Sequence, residues 1–143
     1  MKRIHISINT EAEKFETSLS FYSTLFDTPP TKRRDQYAKW MLEDPKVNFV
    51  VEVKEMAHES SGIHHLGIQV DDSESLATMR DNLKRAGAPL LEVGETVCCF
   101  SHSVKDWTMD PSGVKWESFR SLGDTENYGK RTSPESLGCS AKM

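Results

Sequence analysis

Two histidines, one glutamate and a pair of adjacent cysteines are the residues whose types suit chemistry in common. His5 sits in RIHISIN, His65 in GIHHLGIQV and Glu117 in VKWESF, while Cys98 and Cys99 stand side by side in GETVCCFSHS. Two imidazoles and one carboxylate around a point form the three-ligand face of a non-haem Fe(II) centre, leaving positions open for dioxygen and substrate. Neighbouring thiols are poor disulfide partners, because the link would strain the intervening peptide. Cys98 and Cys99 are therefore read as free thiols, with two inert buried hydrophobes as the plain alternative.

The elements that must position these residues follow a repeat. RIHISIN alternates as a strand does, with Ile4, Ile6 and Ile8 on one face and His5 and Ser7 on the other. Asn9-Thr10 is a candidate helix cap before EAEKFETSLSFYSTLF, where Phe15, Leu19, Tyr22 and Phe26 fall at helical spacing. YAKWMLE and VNFVVEV follow as strands joined at Asp44-Pro45. The second half has the strand IHHLGIQV, then a capped helix in DDSESLATMRDNLKRAG that Gly87 stops. LLEV, VCCFS and VKWESF read as strands, with a type I turn at DPSG before the last.

Counting fixes the register. His5 to Phe26 is 21 residues and His65 to Ala86 is also 21; Phe26 to Asp44 is 18, whereas Ala86 to Asp110 is 24. The six extra residues fall in the segment that carries Cys98 and Cys99, and enlarged loops are where function is commonly added. A lone histidine on a strand is more often structural than a ligand, so the shared register of His5 and His65 is what singles them out. His64 must point to the opposite sheet face from His65 and is assigned a structural role. His58 lies in a linker and His102 is read as a surface residue. Counting six residues past Pro45 lands on Val51, the counterpart of Glu117; Glu52 is one step out and is expected to face away. Three protein ligands are thus expected, not four.

The 143 residues, 36% hydrophobic with a net charge of −4, suffice for one domain with a real core. The expected limits are a single domain over 1–121, with modules at about 1–58 and 61–121, and a flexible tail over 122–143. No apolar run approaches a membrane span, MKRIHISIN lacks the apolar stretch of a signal peptide, and TKRRD is a short basic edge. Neither a membrane nor nucleic acid is expected as a partner. Three cysteines without an export signal point to free thiols in a reducing cytoplasm.

With these residues in hand, the chain resembles the vicinal-oxygen-chelate superfamily, whose members include glyoxalases, extradiol dioxygenases and antibiotic-resistance proteins. DWTMDPSGVKWESF looks like its closing motif, Asp-Pro-x-Gly followed by a metal-binding carboxylate. The resemblance covers about residues 1–121 and implies an α+β fold of two paired βαβββ modules, with a homodimer as the usual assembly.

Within that superfamily, TVCCFSHSVKDWTMDPSGVKWESF, GIHHLGIQV and SFYSTLF are similar to the organoarsenical carbon–arsenic lyases and the related cadmium-induced proteins. That resemblance implies Fe(II) on His5, His65 and Glu117, with Cys98 and Cys99 holding a trivalent organoarsenical beside dioxygen. Cys139 is a candidate third thiolate. The cadmium-induced relatives tend to lack histidine at the position of His5, so His5 sides with the lyases. Adjacent cysteines of an ideal strand point to opposite faces, so a shared arsenic needs a bulge or loop there. The rivals are a glyoxalase-type isomerase, which usually has a fourth protein ligand, and a non-catalytic cadmium- or metalloid-binding protein, which would need the thiols without the triad.

Overall fold

The computed structural model describes residues 1–129, with side chains described except at positions 98–100 and 124–129. It has a mixed sheet and two α-helices, an α+β protein. The chain divides into two compact units: Arg3–Leu66, and Met1–Lys2 together with the chain from Gly67 onward. The division falls inside a strand, β5 (Gly62–Val70).

The first unit contains β1 (Arg3–Thr10), a 3₁₀ turn at Ala12–Lys14, α1 (Phe15–Leu25), β2 (Lys32–Arg34), β3 (Tyr37–Glu43) and β4 (Lys46–Val53). β1 runs parallel to β4, β3 antiparallel to β4, and β2 antiparallel to β3. Alternation sorts the side chains. Trp40, Phe49 and Val51 pack with Phe15 and Leu19 of α1 in one cluster, joined by Ile6, Ile8, Tyr22 and Phe26. The rings are closely set: Tyr22 and Phe26 lie 4.6 and 5.1 Å from Phe49 between centroids. Trp40 is fully buried and its indole N–H donates to the Thr28 carbonyl at 3.1 Å, so no polar group is stranded there.

Asn9-Thr10 does not cap α1. Both residues stay in β1, paired with Glu52 and Val53, and the chain enters the helix through the 3₁₀ turn with Lys14 at the cap position and no side-chain cap bond. The parallel ladder has claimed the residues that local propensity favoured as a cap. β3 and β4 are joined through Asp44-Pro45, a cis peptide, with Glu43 opposite Lys46.

The second unit contains α2 (Ser73–Arg85), β6 (Leu90–Met109) and β7 (Lys115–Gly129). Here the helix cap is as expected: Asp72 accepts a bond from the Ser75 N–H at 2.6 Å. That bond holds the Asp72 carboxyl below its ordinary value. At the other end Gly87 turns left-handed with φ of 70°, while Gly87 and Ala88 donate to the carbonyls of Lys84 and Leu83. LLEV and VCCFS, expected as separate strands, are one strand, β6, whose pairing with β7 is irregular between Cys99 and Ser101 and between His102 and Ser103. The DPSG turn forms with Asp110 accepting from the Ser112 and Val114 N–H groups, both at 2.8 Å. β7 then runs on to Gly129, so residues 122–129, assigned to the tail by composition, are strand paired with β6. Polar side chains do not prevent a strand when a neighbouring ladder takes up its backbone.

One charged pair ties α2 to β6. Arg80 meets the 1%-exposed carboxylate of Asp106 through two nitrogens, at 3.0 and 3.2 Å. Burial pushes the Asp106 carboxyl above its usual value although Arg80 pulls the other way.

Leu19→Ala is expected to cost about 2–5 kcal/mol of stability, read from urea unfolding, because it opens a hole in a filled aromatic core. For Asp72, a carboxyl depressed in the folded chain, stability is present above its unfolded value and lost as pH falls through its folded value. Asp72→Asn should therefore keep α2 capped at neutral pH and remove part of the acid sensitivity of unfolding, whereas Asp72→Ala should lower stability at neutral pH as well.

Candidate functional site

His5 lies on β1 at 6% exposure, on the face opposite Ile6 and Ile8. Its Nδ1 is 3.0 Å from the carbonyl oxygen of Asn48, its partner in the parallel β1–β4 pairing. A carbonyl only accepts, so Nδ1 carries the proton and Nε2 of the neutral ring presents a lone pair. That Nε2 is 3.1 Å from Nε2 of His65, and the two ring centroids are 5.0 Å apart. Two imidazole nitrogens thus converge from β1 and β5. A backbone oxygen fixing one ring's tautomer is a common support for metal-ligating histidines. His5 and His65 therefore have the chemistry to hold a divalent ion.

His64 is not turned away from His65 as ideal alternation would have it. Its Nδ1 is 2.8 Å from Nδ1 of His65, with the rings at 75°. Rotation about the side-chain bonds brings the two rings together although their backbone positions alternate. Sequence reasoning missed Asn48 and His64 for different reasons. The first depends on which strand pairs with β1, the second on rotamers.

Glu52 also departs from expectation. It stands opposite Asn9 in the β1–β4 register, so it shares the face of His5, and it is buried; Val51 is in the core beneath α1. The two Asp-Pro connections are not equivalent. β6 pairs with β7 so that Met109 opposes Lys115, whereas Glu43 opposes Lys46. The two hairpins differ in length. Glu52 lies four residues along β4 from Asn48, roughly 13 Å at strand rise, so the neighbours of the His5 row on β4 are Asn48 and Val50.

Glu117 lies in the second unit, on β7, at 6% exposure, opposite Trp107. Lys105, itself 4% exposed, places Nζ 2.8 Å from the Glu117 carboxylate and 5.8 Å from the Trp107 ring centroid. A carboxylate and an ammonium buried this deeply support each other, since either alone would carry a large desolvation penalty. Lys105 was not singled out from the sequence, though the hairpin register holds the signal: it sits two residues from Trp107, on the same face as Glu117.

Cys98 and Cys99 lie on the backbone of β6, and the irregular pairing starts immediately after Cys99. Their side chains, and all of Cys139, lie outside the described residues. His58 is exposed in the linker, and His102 sits at the surface with its Nε2 3.1 Å from Glu95.

Residues 5–118 match the protein family described as the Glyoxalase/Bleomycin resistance protein/Dioxygenase superfamily. The chain belongs to that superfamily. Among its relatives is the trivalent organoarsenical cleaving enzyme of Thermomonospora curvata, 30% identical over 130 residues that cover 91% of this chain and 84% of that one. Another is the cadmium-induced protein CadI of Mycobacterium bovis, 31% identical over 129 residues, covering 90% and 82%. Among solved structures, the 2,3-dioxygenase LapB from Pseudomonas sp. KL28 matches with a TM-score of 0.64 at 17% identity, over 85% of this chain and 41% of that one. At that identity the likeness establishes the superfamily fold and nothing finer. Of the described residues, no helix is long and apolar enough to cross a membrane.

Lys105→Met removes the close partner of a buried carboxylate and is expected to destabilise the chain by about 3–5 kcal/mol. Urea unfolding of the variant checks this, and Lys105→Met combined with Glu117→Leu should recover much of the loss.

Proposed function

We propose that this protein cleaves the carbon–arsenic bond of trivalent organoarsenicals, using dioxygen and an Fe(II) ion held by His5, His65 and Glu117. The observation that carries the reading is the His5–His65 pair, with facing Nε2 atoms and the His5 tautomer set by the Asn48 carbonyl. Two nitrogens and one buried carboxylate are the donor set suited to a non-haem ferrous ion with open positions. The relative from Thermomonospora curvata, named for organoarsenical cleavage, supports the substrate class, and the dioxygenases of the superfamily support the oxidant.

Bound there, Fe(II) would supply the electron exchange that lets dioxygen react with a saturated carbon. The remaining work belongs to side chains. His5, anchored at Asn48, and His65 fix two donors in place. Glu117 supplies the negative charge, and Lys105 beside it orients that carboxylate. Cys98 and Cys99, as thiolates, bind the soft trivalent arsenic and hold its carbon substituent against the site, turning an encounter into an oriented reaction. Joint binding needs the two thiols on one side of the chain, which an ideal strand does not allow and a bulge or loop would. For methylarsenite, one dioxygen accounts for all atoms: the C–As bond breaks and the methyl carbon leaves as formaldehyde. Arsenic remains trivalent as arsenite, and carbon loses the four electrons that dioxygen gains. No external reductant is required.

The test is to load purified protein with Fe(II) anaerobically, admit dioxygen, and follow arsenite, formaldehyde and oxygen uptake. Equal amounts of all three are expected. Cys98→Ser should abolish arsenical binding and spare iron, and Glu117→Ala should lose iron and spare arsenical binding. Full turnover in both variants would refute the reading. Binding of cadmium or arsenical that needs the thiols alone, without oxygen uptake by the wild-type chain, would favour a sequestering protein instead.

A further inference from the structure

The two helices of the repeat cover very different interiors. Beneath α1 the rings of Tyr22 and Phe26 stack at 5.7 Å and press on Phe49 and Trp40. Sixty residues on, as His65 is from His5, Asn82 stands in place of Tyr22 and Ala86 in place of Phe26. Those two rings are missing from the second unit. Where they would lie there is a cavity of about 700 Å³, walled by Ile68, Met79, Leu83, Ala86, Met109 and Trp116.

The cavity lies behind the sheet from Glu117. Trp116 and Ser118 line it, and Glu117 between them points to the other face. Its walls are mostly apolar, and several of the polar side chains that reach it are engaged. Thr108 donates to the Pro89 carbonyl at 2.6 Å, Asp110 is bonded to its own turn, and Asn82 accepts from Arg85. An anionic ligand would meet the Asp110 carboxylate and no cationic side chain on the walls, and would lose its hydration. The volume lies in the range of small-molecule sites, and the cavity opens to solvent past the exposed Asn82 and Ala86.

We propose that this cavity is a binding site for a small, uncharged aromatic molecule, whose ring occupies the position that Tyr22 and Phe26 fill beneath α1. The repeat carries the argument: the same scaffold builds an aromatic stack in one unit and lacks two of its rings in the other, where Trp116, Met79 and Leu83 are among the walls. A flat ring would stack on Trp116 and meet the Met79 sulfur, both favourable contacts. This site is independent of the metal and thiol residues.

The experiment titrates the full-length, metal-loaded protein with N-phenyl-1-naphthylamine, a neutral aromatic probe whose fluorescence rises in apolar surroundings. Saturable binding of one probe per chain is expected. Asn82→Tyr with Ala86→Phe restores the missing rings and should weaken binding about tenfold or more, the scale of one lost ring contact, while raising the thermal midpoint. Ala86→Leu, a milder filling of an exposed helix end, should weaken binding in the same direction and covers the case in which the double variant does not fold. Probe binding that is not saturable, or is as tight in Ala86→Leu as in the parent, overturns the proposal. So does a chain that elutes as a dimer without binding probe and becomes monomeric in Ala86→Leu, which would give the cavity to a second copy.

Discussion

The parallel pairing of β1 with β4 is the constraint on which the candidate site rests. It places the Asn48 carbonyl beside His5, and that one oxygen decides which nitrogen of the ring carries the proton. The same pairing sends Ile6 and Ile8 toward α1, so the aromatic core and the site are two faces of one ladder. Burial of Phe15, Leu19, Trp40 and Phe49 fixes the register by the hydrophobic effect, since a one-residue slip would turn Trp40 and Phe49 away from α1. The His5 ring is held in place by packing on the far side of its own strand.

The second unit solves its problems with polar contacts more than with rings. α2 is capped at both ends by the local bonds of Asp72 and Gly87 and clamped to β6 by Arg80 and Asp106. On the other face Lys105 and Glu117 form a buried pair next to Trp107. These interactions are directional, so they specify geometry without filling volume. Among the described residues the aromatic cluster lies in the first unit, and the cavity beneath α2 lies in the second.

Membership of the superfamily joins these features to an architecture whose description spans glyoxalases, bleomycin resistance proteins and dioxygenases. Function then rests on the side chains placed on that scaffold. In this chain His5, Asn48 and Val50 share one face of the β1–β4 ladder in the first unit, and Lys105, Trp107 and Glu117 share one face of the β6–β7 hairpin in the second. β4 offers no carboxylate beside His5, because Glu52 is four residues further along.

Much of this was legible in the residues. The alternation of Ile4, Ile6 and Ile8 marked β1, the Asp72 and Gly87 signals marked α2, and the repeat interval picked His5 and His65 from five histidines. Those signals are local or periodic, and a linear chain records them directly. The partner of β1, the face of Glu52, the meeting of His64 with His65 and the extension of β7 to Gly129 depended on strand pairing and rotamers. Hairpin lengths and ladder registers are settled when distant segments compete for the same backbone hydrogen bonds, and spacing along a chain does not encode the outcome of that competition. Residue types and periodicity are thus a property of the sequence, while which donor meets which acceptor is a property of the fold.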